Sequence, residues 1–195
     1  MKKIIILFLL ITSCASQNVD QRIDYIKELN NTEFKEFIYQ NSFVIYSLQK
    51  VNNNQEVVVY IEGDGLSWID RFTPSSDPTP TNPLAFKLAK SDKSPNVIYL
   101  ARPCQYVQNN RCQKETWTKL QYSNEIMSNY IKILKEVKNK HSNVDLVGYS
   151  GGSVIAMYLA SVKELNIKSV TSIAGNIKPG EFTQMLNISP YRTSL

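Results

Sequence analysis

Apolar positions along the chain follow two rhythms. Glu56–Glu62 (EVVVYIE) is a continuous β-branched and aromatic run, the pattern of a strand buried on both faces. Asn96–Leu100 (NVIYL), Val144–Val147 (VDLV) and Ser169–Ala174 (SVTSIA) are of the same kind. Phe34–Tyr39 and Phe43–Leu48 predict two more short strands, and Asn52-Asn53-Asn54 a turn. The second rhythm is helical. Ile126, Met127, Tyr130, Ile131, Leu134 and Val137 share one face at 3.6-residue spacing. Ser123 is the predicted N-cap of that helix, with Glu125 in its first turn and Lys138, Lys140 and His141 at its end. Helices are also predicted from Gly151 to about Leu165 and over Pro83–Lys90, whereas Thr73–Pro83 holds four of the eight prolines and predicts a loop. Buried strands alternating with helices predict an α/β domain over residues 32–195, a mostly parallel sheet with helices on both faces.

The N-terminus has a different grammar. Lys2 and Lys3 precede an apolar run, Ile4–Ile11, that is too short to span a bilayer. A charged start, a short apolar stretch and small residues predict a secretory signal over residues 1–13. Ile11-Thr12-Ser13-Cys14 resembles a bacterial lipobox, which implies lipidation of Cys14 and attachment to a membrane of the cell envelope. Ala15 follows, rather than an aspartate, which points weakly to the outer membrane. The plainer alternative is an ordinary signal with an incidental cysteine. Residues 14–31 are read as the lipidated N-terminus and a polar tether.

Two cysteines remain, Cys104 and Cys112, close together in one loop. In an oxidising compartment they are expected to pair, and closing a loop of about nine residues is worth about 2.6 kcal/mol on the chain-entropy account. Two free thiols are the alternative. The spacing is not Cys-x-x-Cys, so a redox pair is not expected.

Composition removes whole classes of function. Hydrophobic residues make up 43% and charged ones 20%, enough for a real core. The 22 basic against 17 acidic residues leave a net +5, lowered by two once Lys2 and Lys3 leave with the signal. The excess is scattered as single lysines, so no nucleic-acid partner is expected. One histidine and three cysteines are too few for most zinc sites, and no metal or cofactor is expected.

The glycines carry the chemistry. Five of the seven fall in two clusters, each just after a buried strand: Glu62-Gly63-Asp64-Gly65 and Gly148-Tyr149-Ser150-Gly151-Gly152. The second matches Gly-x-Ser-x-Gly between a predicted strand and a predicted helix, the sharp turn that lifts a serine hydroxyl above a sheet. Gly148 and Gly152 are expected to relieve the crowding of that elbow, with Ser150 as nucleophile. The plainer reading is a tight junction in which Ser150 merely caps the helix. In acyl transfer two backbone amides hold the oxyanion; here these are expected at Gly151 and at Asp64 or Gly65. Trp68, Phe72 and Tyr106 are expected at the same end of the sheet, either as an apolar rim or as packing.

These stretches together resemble the α/β-hydrolase superfamily, and within it bacterial lipoproteins of largely unassigned substrate. The resemblance rests on Tyr60–Trp68 (YIEGDGLSW), Ala101–Tyr106 (ARPCQY), Cys112 with Trp117-Thr118, Gly148–Gly152 and Ser172–Asn176. It implies a serine hydrolase acting on a small acyl or ester substrate, with Ser150 as nucleophile, oxyanion amides at Gly151 and in Glu62–Gly65, and a Cys104–Cys112 disulfide. Esterase and peptidase are not separated. The superfamily's chain order is serine, acid, histidine, yet only Glu164 and Glu181 and no histidine follow Ser150. The last strands, which would carry acid and base, are therefore expected to be lacking and activity impaired. His141 precedes the elbow and is expected on the surface. A non-catalytic lipoprotein using the scaffold for binding is the second reading.

Overall fold

The computed structural model describes residues 18–175. Cys14, the signal segment, Asn176 and Glu181 lie outside the described residues. A six-stranded sheet forms the centre: β1 (Lys35–Gln40), β2 (Val44–Val51), β3 (Val57–Ile61), β4 (Asn96–Leu100), β5 (Val144–Tyr149) and β6 (Ser169–Ile173), in the spatial order β1-β2-β4-β3-β5-β6. β1 and β2 run antiparallel to each other, and β2 antiparallel to β4. The pairs β4–β3, β3–β5 and β5–β6 are parallel. The predicted mostly parallel sheet is therefore observed.

The continuous apolar strands exist because both faces are covered. Val59, Ile61, Ile98, Leu100 and Leu146 point into one core, covered by α4 (Asn124–Lys138) and α5 (Gly151–Ser161). Val58, Tyr60, Val97 and Tyr99 point into the other, covered by α1 (Val19–Asn30) and α2 (Leu84–Ser91). A one-turn helix, α3 (Lys114–Trp117), follows the loop after β4. Ser123 does stand at the N-cap of α4, but through its carbonyl, which accepts from the Met127 amide at 2.9 Å, and not through its side chain.

Three expectations need correction. Residues 19–30 are a helix, not a tether: Asn18 and Gln21 form a reciprocal capping box, and Ile26 and Arg22 are buried against the body. The segment looks polar because one of its inward positions is an arginine. Arg22 is held by the carboxylate of Asp77 at 3.6 Å and by the carbonyls of Asp77 and Thr79. β6 is not buried on both faces; its residues are half-buried or exposed, as befits the edge strand of the described sheet. His141 is not a surface residue either. It is 5% exposed, with Nδ1 3.0 Å from the Gln55 carbonyl.

The chain leaves β3 to one side to form β4 through α2, then crosses to the other side to form β5 through α4. Between the carboxyl ends of β3 and β5 the order reverses, which in open α/β sheets is where ligands bind.

Candidate active site

Both glycine clusters lie at that reversal. Ser150 has φ 49° and ψ −120°, a left-handed conformation that a non-glycine residue adopts only when its surroundings hold it there. The surroundings are specific. The Ser150 amide donates to the Ile173 carbonyl of β6 at 2.9 Å, and the Ser153 amide donates to the Ser150 carbonyl at 3.0 Å. A Cβ on Gly152 would run into the carbonyls of Ile61 and Glu62 at the end of β3, and one on Gly148 into the backbone of Ser153. The two glycines let strand and helix meet almost in contact. The Ser150 side chain makes no capping hydrogen bond, so the capping reading has no support.

The loop after β3 faces the elbow. A Cβ on Gly63 would stand 3.2 Å from the Cβ of Ser150. Gly63 donates its amide to Glu62 Oε1 at 2.9 Å, and Leu66 donates to the Pro78 carbonyl at 3.0 Å. Between them the amides of Asp64 and Gly65 have no acceptor among the described residues, as has the amide of Gly151 in the first turn of α5. Gly65 has φ 62°, and a side chain there would overlap the Pro78 carbonyl. Of the predicted oxyanion donors, Asp64 and Gly65 line a cleft of about 210 Å³ together with Ser150, Glu62, Asn82 and Tyr149, and Gly151 follows Ser150 in the chain.

Four side chains of this region make contacts that the sequence did not assign. The Asp64 carboxylate abuts Gly151, where a Cβ would collide with it. Arg102, 4% exposed, pairs with that carboxylate at 3.0 Å and donates to the carbonyl of Gln121. Burial pulls the guanidinium pKa down, but the Asp64 charge together with the Tyr122 and Tyr130 hydroxyl groups outweighs it and the net shift is upward. Gln105, fully buried, accepts from the Arg102 amide at 2.9 Å and donates to the Gly63 carbonyl at 3.0 Å. Glu62, 1% exposed, turns its carboxylate to the start of α2, accepting from the Ala85 amide at 3.4 Å and from Tyr99 Oη at 3.2 Å. Burial pushes its pKa up to about 7, against the hydrogen bonds from Gly63, Ala85 and Tyr99 that favour the anion. A signal was present in the sequence: charged residues directly ending continuous apolar strands cannot escape burial, and must find partners.

Cys104 and Cys112 are disulfide-bonded, with Cα atoms 5.6 Å apart. Of the three aromatic residues, Tyr106 is packing, 8% exposed with its ring 5.0 Å from that of Tyr46. Trp68 and Phe72 are 37% and 82% exposed, on a tight turn in which Asp70 accepts from the amides of Phe72 and Thr73. His141 sits before β5, and Gln55, which it contacts, precedes β3. It is therefore at the opposite end of the sheet from Ser150, where the sequence put it. Among the described residues no three His, Cys, Asp or Glu side chains converge as a metal site.

No family model matches the chain, and no curated protein matches it. Solved structures do. A proline iminopeptidase-related protein from Thermus thermophilus aligns with TM-score 0.50 at 9% identity, over 80% of this chain and 51% of that one. An esterase from Pyrococcus furiosus aligns with TM-score 0.48 at 12% identity, over 80% and 58%, and an epoxide hydrolase from Vigna radiata with TM-score 0.46 at 11% identity, over 72% and 40%. The chain spans about half the length of the structures it matches.

Proposed function

From its α/β-hydrolase fold, we propose that this chain carries the nucleophile and oxyanion half of a serine hydrolase acting on small acyl esters. The observation that carries the reading is Ser150 itself, held at φ 49° over a cleft whose far wall offers uncommitted amides. In the proposed reaction solvent hydroxide takes the Ser150 proton, forming the water that later protonates the leaving alkoxide, while Ser150 Oγ attacks the acyl carbon and the carbonyl oxygen becomes an oxyanion received by the amide of Gly151 and that of Asp64 or Gly65. Collapse of that adduct releases the alcohol and leaves the acyl group on Ser150, and water then hydrolyses it.

A proton acceptor for Ser150 is not supplied by the described residues. After Ser150 the sequence holds no histidine, Glu164 is exposed on the turn following α5, and His141 is at the wrong end of the sheet. A hydroxyl without a base is a poor nucleophile near pH 7, so we expect this chain to react slowly. Export and lipidation at Cys14, with the domain held at an envelope membrane, belong to the same proposal and rest on the N-terminal sequence alone.

The test is labelling by a fluorophosphonate probe, with Ser150→Ala as control. We expect slow labelling that vanishes in Ser150→Ala and climbs with hydroxide concentration to pH 9, with no plateau near pH 7. Equal labelling of Ser150→Ala, or none at any pH, would overturn the nucleophile assignment and favour the second reading, a scaffold kept for binding. That reading is favoured by the placement of the sole histidine.

A further inference from the structure

The loop after β4 holds none of the reacting groups, yet two of its buried side chains reach across to the loop after β3. Arg102 Nη1 holds the Asp64 carboxylate at 3.0 Å, and Gln105 Nε2 holds the Gly63 carbonyl at 3.0 Å. Gln105 Oε1 in turn accepts from the backbone amide of Arg102 at 2.9 Å, so the Gln105 side chain is tied to the start of its own loop. Cys104 and Tyr106, the neighbours of Gln105, have φ 68° and 64°, left-handed values that cost non-glycine residues roughly 1–3 kcal/mol each. Such a bend persists only if something holds it. The Cys104–Cys112 bridge does so on one side, and the Tyr106 amide, bonded to Thr79 Oγ1 at 2.9 Å, does so on the other.

We infer that the disulfide-closed loop is a brace for the oxyanion loop, with Arg102 and Gln105 as its positioning residues, and that reduction of the bridge loosens the site. Two consequences follow. Gln105 fixes how far the Asp64 and Gly65 amides stand from the elbow, through the Gly63 carbonyl between them and β3. Arg102 does this too, and neutralises a carboxylate that touches Gly151, where an oxyanion would otherwise meet negative charge at close range. The catalytic consequence rests on the proposed role of Ser150; the bracing itself does not.

The test therefore has two readouts. Hydrogen exchange over residues 63–66, read at the hydrogen-bonded amides of Gly63 and Leu66 with β3 as internal reference, reports on the brace. The rate of fluorophosphonate labelling reads its effect on Ser150. In Gln105→Ala and in Arg102→Met, exchange over 63–66 should quicken at least tenfold while β3 stays protected, and labelling should slow tenfold or more. The double variant Asp64→Asn/Arg102→Met should regain part of the labelling lost in Arg102→Met without regaining exchange protection, since it removes the charge but not the slack. Should either single variant fail to fold, reduction of the native chain with a phosphine makes the same prediction for 63–66. Unchanged exchange over 63–66 in the folded variants, or on reduction when they do not fold, overturns the brace. A wild-type chain that never labels at Ser150 overturns the proposed nucleophile and leaves the exchange result to decide the brace alone.

Discussion

Ser150 shows how a single residue can be placed against its own preference. Its φ of 49° is a conformation glycine adopts freely and serine does not, so the hydroxyl is kept at some expense in stability. We predict that Ser150→Gly is more stable than Ser150→Ala by about 1 kcal/mol, the reverse of the order expected in an ordinary helix start; thermal unfolding of the two variants decides it. Glu62 makes the matching case for charge. Its carboxyl has a pKa of about 7 in the folded chain against 4.5 for a free one, because burial penalises the anion. The folded state thus binds this proton more tightly than the unfolded state, and the stability it contributes is full below about pH 4.5 and lost as pH rises through 7. Glu62→Gln, which has no proton to lose, should gain on the wild type between pH 5 and pH 8, by an amount on the order of 3 kcal/mol. Denaturant midpoints across that range are the measurement, and parallel curves for the two proteins would refute it.

At the scale of elements, strands and helices were legible where one kind of residue filled one face. The β-branched runs became β3, β4 and β5 because both cores need them, and the face from Ile126 to Val137 became α4. Legibility failed where a polar residue took an inward position or an apolar one an outward position. In α1 the spacing of Ile23, Ile26 and Leu29 with the Asn18–Gln21 box was readable, but Arg22 masked it by burying a charge that only Asp77, more than fifty residues on, makes tolerable. No local pattern announces such a partner. The same held for Arg102 and Asp64, which meet across two loops. α1 consequently fastens the proline loop, whose Thr79 supports Tyr106 and whose Pro78 supports Leu66. Removing one partner of a buried pair leaves the other charge stranded. Arg22→Met should cost about 3–5 kcal/mol, measured as a loss of unfolding free energy, and a cost below 1 kcal/mol would mean that α1 is only lightly attached.

Across the whole molecule, the sheet has a chemical end and a quiet end. The serine, the glycine loops and the brace gather where β3, β4 and β5 finish, because parallel strands deliver their carboxyl ends to one edge and the strand order reverses there. That much followed from Gly-x-Ser-x-Gly and from the alternation of strands and helices. At the other edge His141 fills a buried position between the segments entering β3 and β5, its Nδ1 against the Gln55 carbonyl. A length of sheet separates it from Ser150, so its contribution to the molecule is packing and one hydrogen bond. His141→Ala should destabilise the fold by about 0.5–3 kcal/mol, through the lost packing of a buried ring and one hydrogen bond, while the rate and pH profile of Ser150 labelling stay those of the wild type. A drop in labelling with stability intact would mean that the two ends communicate, and would return the sole histidine to the list of reacting groups. Stability lost with labelling kept would leave the serine dependent on the brace, the glycines and the solvent.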